Sequence, residues 1–219
     1  MFHVSSDRAG RCSVSSSAGY SHAGHFSRAV GRGLASSSAT ASLTLALALT
    51  LALASATPAH AVPDAQFQPA QAVFLKAADG DKSAVDGAAA AFASLLKAEP
   101  ANPVLLAYSG AATSMKATTT FLPWKMLALA EEGLAQIDKA LALLTPAHNA
   151  PMQQGTPAVL EVKLVAANTF MAVPGFMNRK ERGQRLLNEV LASPLLASAP
   201  AEFRASVQKA AQANQLAKK

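Results

Sequence analysis

Cysteine is all but missing from this chain: Cys12 is the only one among 219 residues. Histidine is nearly as scarce where it would matter, because four of the five precede residue 62 and only His148 follows. If the N-terminal segment is removed, no disulfide, thiol nucleophile or thiolate metal site remains. A zinc site would find no second His or Cys, and a Ser-His-Asp triad would rest on one loop histidine. Aromatics are only 5% of the chain, so alanine supplies much of the 51% apolar content; alanine favours helix and covers little apolar area. No phosphate-binding Walker loop or dinucleotide fingerprint occurs. Neither metal nor cofactor is therefore expected.

The formal charge of +6 belongs partly to the N-terminus. Arg8, Arg11, Arg28 and Arg32, four of 19 basic residues, and Asp7, one of 13 acids, precede residue 62. The rest holds 15 basic and 12 acidic residues, a net of +3, which is an ordinary surface without a nucleic-acid footprint.

What the N-terminus does have is an export pattern. Residues 1–36 are Ser- and Gly-rich and carry those four arginines, and residues 43–56 read LTLALALTLALASA. Ala59-His60-Ala61 then forms a small-x-small cleavage site before Val62-Pro63. Residues 1–61 are expected to be a cleaved signal peptide, with Ala59 and Ala61 directing cleavage. The apolar run is short against the about 20 residues a membrane span needs, so no stable anchor is expected after cleavage. The basic region is longer than export requires, which suits a translation start near Val30. No adjacent Arg-Arg pair occurs and no Cys stands at the cleavage point. The general secretory route and a periplasmic product, rather than the twin-arginine route or a lipoprotein, follow; a secreted product is the alternative.

Residues 62–217 read as helix after helix. Residues 62–69 look like an irregular lead, with a short helix over 70–78 closed by Asp79-Gly80-Asp81. Ser83 with Asp86 can cap a helix to about Ala98. Asn102 and Pro103 form a cap-plus-proline start for a third helix to about Ala117. Pro123 opens the longest helix, striped by Leu127, Ala130, Leu134, Ile137, Leu141 and Leu144. Thr156-Pro157 opens a helix that is apolar on most sides apart from Glu161, Lys163 and Asn168, which predicts a central position. Asn178 to Glu181 resembles a capping box for a helix to Ala192, and Pro200 opens the last one. About seven short helices without strand alternation bury their stripes only on one another, so the fold class is all-α, a compact bundle or short solenoid of hairpins.

Residues 88–110 bear on that choice. Ala88, Phe92, Leu95 and Pro100 stand at the small, aromatic, apolar and turn-proline spacings of a tetratricopeptide second helix. Leu106 and Gly110 follow where the next repeat places a large and a small residue, the glycine allowing close helix approach. The next turn proline, Pro146, comes 46 residues after Pro100, not the about 34 of the repeat. The chain resembles a group of uncharacterised exported proteobacterial tetratricopeptide-repeat-like (TPR-like) proteins. The resemblance rests on residues 107–112 (AYSGAA), 122–126 (LPWKM), Gly133-Leu134, 137–141 (IDKAL), 166–170 (AANTF) and Val173-Pro174, and spans most of 80–205. It implies a helical repeat-like domain and no particular activity.

Few groups suggest chemistry. Ser94 and Lys97 match an S-x-x-K pair without its companion elements, which leaves a solvated helix pair. Asp79, Asp81 and Ser83 begin like a calcium loop, but Ala84 and Ala90 stand where Gly and Glu are needed. Glu131 and Glu132, adjacent on a helix, do not face each other. Two sets invite a binding reading. Phe121, Trp124, Met126, Phe170, Met171, Phe176 and Met177 are either core packing or an adaptable apolar surface. Arg179, Lys180, Arg182 and Arg185 are either a solvated helix face or a site for an anionic partner. The expected function is binding of a protein or peptide partner in the envelope, an anionic one included, through these four residues with Tyr108 and Trp124. An envelope enzyme using unidentified carboxylates and a carrier of an apolar or anionic small molecule are the alternatives.

Overall fold

The computed structural model describes residues 62–216; the expected leader and its cleavage residues Ala59 and Ala61 lie outside them. Seven α-helices follow one another among the described residues: α1 (Asp64–Ala78), α2 (Val85–Ala98), α3 (Pro103–Lys116), α4 (Pro123–Ala142), α5 (Ala158–Ala172), α6 (Lys180–Leu191) and α7 (Ala201–Leu216). The same residues contain no strand, only an isolated backbone bridge between Pro151 and Pro157. None of these helices is long and apolar enough to cross a membrane. The all-α expectation holds.

Consecutive helices pack as pairs: α1 on α2, α3 on α4 and α5 on α6. The odd-numbered helices also touch one another, α1 on α3 and α3 on α5, and α7 rests on α6. The most enclosed helix is α3, where Val104 to Ala112 are all buried. Its run of Ala107, Ser109, Gly110, Ala111 and Ala112 presents little bulk, so neighbours approach on every side. At the crossing with α4 the backbones nearly touch. A Cβ placed on Gly133 would lie 2.3 Å from the Gly110 carbonyl oxygen, and one on Gly110 would lie 2.6 Å from that of Gly133. The expected role of Gly110 in close approach is therefore met, with Gly133 as its counterpart. The α4 stripe is buried through Ala130, Leu134 and Ile137, while Leu127 is exposed.

Local signals set several helix starts. Asn102 caps α3, its Oδ1 accepting from the amides of Val104 (3.0 Å) and Leu105 (3.3 Å). Pro103 and Pro123 occupy first-turn positions, where the missing N–H costs nothing. Other expectations are corrected. The lead at 62–69 is not irregular, because α1 starts at Asp64 and runs through Pro69. A proline six residues into a helix forfeits a hydrogen bond, but burial of Phe67 offsets that loss. Phe67 packs edge-on against Phe92 (5.9 Å) and Tyr108 (5.5 Å), and Phe92 stacks on Tyr108 at 4.7 Å. Asp81 rather than Ser83 does the capping before α2. Its carboxylate accepts from the Ser83 amide and hydroxyl, and these bonds hold it below its usual pKa. Asn178 forms no capping box; it adopts a left-handed conformation (φ 54°) that closes the turn after Pro174.

Candidate functional site

The sequence-designated residues do not converge. Tyr108, expected on an open groove, is buried in the aromatic cluster, since its helix is enclosed on all sides. Trp124 is 71% exposed at the start of α4, and Phe121 is 96% exposed in the preceding loop. Phe170 is core, whereas Met126, Leu127, Phe176 and Met177 border an apolar groove of about 470 Å³ between the start of α4 and the Pro174 turn. The apolar set thus divides between core and surface.

The basic run divides as well. Arg179 bonds Asp138 of α4 at 3.0 Å, and Arg182 bonds the other carboxylate oxygen. Both guanidinium groups lie over the Phe170 ring, at 5.5 and 5.0 Å from its centroid. Lys180 and Arg185 remain exposed. Half of the run is therefore engaged within the protein. His148 is also structural in its contacts: its Nδ1 accepts from the Thr145 amide at 2.9 Å.

A different site emerges where the odd-numbered helices meet. A cavity of about 630 Å³ is lined by α1, α3, α5 and α7 and by the Gln153–Gly155 turn. Leu75, Lys82, Glu202 and Ser206, among its exposed lining residues, mark the mouth; the buried Tyr108, Gln153 and Glu161 mark the floor. Phe74 and Leu164 form apolar wall, with the half-buried Phe203.

Glu161 dominates the floor. It is 4% exposed, and its Oε1 accepts from the Tyr108 hydroxyl at 2.9 Å. Its Oε2 is buried with no hydrogen-bond partner. Burial pushes the carboxyl up to about 7; the Tyr108 bond opposes that rise and the charge of Asp64 adds to it. Tyr108 is itself held well above its usual range, first by burial and then by the charge of Glu161. Gln71 Nε2 donates to Tyr108 at 3.0 Å, and Gln154 Nε2 donates to Gln71 Oε1 at 2.6 Å.

The Gln153–Gly155 turn is fastened to the other end of the described chain. Gln153 Nε2 donates to the Val62 carbonyl (3.3 Å) and the Gln154 amide donates to Asp64 (3.0 Å). Gln154 has φ 49°, a conformation that costs a non-glycine residue roughly 1–2 kcal/mol. Its two bonds to α1 hold it there. Gln153 Oε1 is buried and, like Glu161 Oε2, has no partner.

Sequence reasoning noticed Glu161 only as a polar interruption of an apolar helix. That was the available signal, because a helix buried on most sides must enclose the acid it carries. Gln153 and Gln154 gave none. No protein-family model, curated protein or solved structure matches the chain.

Proposed function

We propose that this chain is an exported TPR-like binding protein whose cavity on the odd-numbered helices receives part of a peptide or small ligand. Three successive helix pairs, with the first helix of each lining one cavity, are the arrangement by which helical-hairpin solenoids present a binding face. The spacing of Ala88, Phe92, Leu95 and Pro100 and the close crossing at Gly110 favour the same reading. The volume falls within the roughly 300–1,000 Å³ of small-ligand sites. The observation that carries the proposal is the pair of unpartnered acceptors, Glu161 Oε2 and Gln153 Oε1, buried in the floor of an accessible cavity. Such groups cost stability unless something bonds them, and a ligand seated in this cavity would supply those bonds.

An enzyme would need a second catalytic group beside Glu161. Tyr108 holds its proton too tightly, and Glu202 stands at the exposed mouth. Binding is therefore favoured over acid–base catalysis.

Photo-cross-linking residues placed at Ser206, Leu75, Trp124 and Lys180 test the site in cells. Adducts are expected from Ser206 and Leu75. Adducts confined to Trp124 or Lys180 would move the binding face elsewhere. Export is tested separately by N-terminal sequencing of the periplasmic fraction, where the expected first residue is Val62; retention of the whole chain in the membrane pellet would refute cleavage.

A further inference from the structure

We propose that the floor of this cavity recognises the cationic head of a ligand, an alkylammonium or guanidinium group, through Glu161 Oε2 and Gln153 Oε1, with the ligand's apolar stem along Phe74, Leu164 and Phe203. This rests on the binding reading above and names its ligand chemistry.

The direction of the hydrogen bonds gives the first argument. Gln154 donates to Gln71, Gln71 donates to Tyr108, and Tyr108 donates to Glu161 Oε1. Three donors in series point at one carboxyl, so the relay fixes Glu161 as the acceptor at its end. The Gln153 amide nitrogen donates to the Val62 carbonyl, which orients the side chain and leaves its oxygen unpartnered. The floor therefore offers two buried acceptors without a partner. A carboxylate or phosphate ligand would set its own lone pairs against those two acceptors. An ammonium or guanidinium has the several N–H groups required.

Charge gives the second argument. Asp64, on α1, is the charged neighbour whose field acts on Glu161, and it has the same sign. From α3 the carboxyl faces Tyr108, whose hydroxyl in turn accepts from Gln71 of α1, and both are neutral. Lys82 and Glu202, of opposite signs, stand at the mouth, and the remaining polar lining, Thr118, Thr156, Asn168, Thr169 and Ser206 among it, is neutral. The buried carboxylate thus has no basic partner in the floor. A charge out of water needs one, and a cationic ligand would supply it where the low dielectric strengthens the attraction.

The head group can belong to a free amine or to a basic side chain of a peptide, and the test separates the two. The full chain is titrated calorimetrically at pH 8 with n-butylammonium chloride, Gly-Lys-Gly, Gly-norleucine-Gly and sodium butyrate. Binding of butylammonium, of Gly-Lys-Gly or of both is expected, without binding of butyrate or the norleucine peptide. Glu161→Gln, which keeps an acceptor for Tyr108, should weaken that binding at least ten-fold. Ser206→Lys, a change at an exposed mouth position, should weaken it by supplying a competing ammonium and leaves the floor intact. Circular dichroism verifies that both variants fold. Binding of butylammonium alone identifies a free amine, and binding of Gly-Lys-Gly alone a peptide side chain; either supports the proposal. Butyrate or norleucine peptide binding as tightly as the amines, with Glu161→Gln unaffected, would overturn the cation and leave a cavity that still binds. Failure of both amines to bind also overturns it, and cross-linking from Ser206 then decides the binding reading independently.

Discussion

Moving the unliganded protein from pH 5 to pH 8 should expose the cost of burying Glu161. In the unfolded chain this carboxyl loses its proton near 4.5, whereas in the folded protein burial holds the proton until about 7. Between those values the folded state binds the extra proton, so stability falls as pH rises through the window and levels off above it. Below 4.5 both states are protonated and the penalty disappears. The gap corresponds to about 3 kcal/mol. About 2.5 kcal/mol of it is lost between pH 5 and pH 8, for a domain of this size a melting-temperature difference of roughly 5–10 °C. The assay is a pair of thermal melts at pH 5 and pH 8 for the wild type and for Glu161→Gln. The glutamine preserves the Tyr108 contact and removes the titration, so subtracting the two proteins cancels every other group. The wild type should lose about 2.5 kcal/mol more than the variant, since a little of the penalty is already present at pH 5. Parallel pH profiles would show that Glu161 ionises freely when folded, and the account of the cavity floor would fail.

Other outcomes follow from packing and charge. Leu134→Ala, at a fully buried position of α4, should cost roughly 2–5 kcal/mol in urea denaturation; near-zero loss would mean that this face is not core. Gly133→Ala would gain about 1 kcal/mol on helix propensity alone. Its Cβ would meet the Gly110 carbonyl at 2.3 Å, so a net loss of about 1–3 kcal/mol is expected instead, and a stabilised variant would refute the backbone crossing. Asp138→Asn should cost about 1 kcal/mol, because the group is partly exposed and two guanidinium partners are weakened together; a matched Asp86→Asn control should cost less.

Much of the fold was legible because it is written locally. Asn102-Pro103 announces a helix start through bonds within three residues, and the α4 stripe follows from periodicity alone. The misreadings came where a distant partner outweighed a local signal. Pro69 looked like a breaker until Phe67, two residues before it, found Phe92 and Tyr108. Asn178 carried the residue pattern of a cap but was drawn into a left-handed turn, a conformation asparagine tolerates better than most. The cavity was the least legible feature. Tyr108 and Glu161 lie 53 residues apart, and Gln71 and Gln154 lie 83 apart. No spacing rule links such pairs, and only packing of α1, α3, α5 and α7 brings them together. Arg179 and Arg182 were visible as a basic run, but their shared acid lay on another helix.

That shared acid has a mechanical consequence. Asp138 bonds two arginines from the beginning of α6, and both lie over the Phe170 ring of α5. Three helices, α4, α5 and α6, are riveted at one point. The corresponding tie nearer the N-terminus, Lys116 to Asp86, spans 3.9 Å between mostly exposed side chains and contributes little. The α1 side is fastened differently, by the Asp79–Lys209 pair to α7 at 2.9 Å and by the bonds of Gln154 to Asp64 and Gln71. One end of the bundle is therefore pinned at a single shared carboxylate, and the other is laced by several separate bonds.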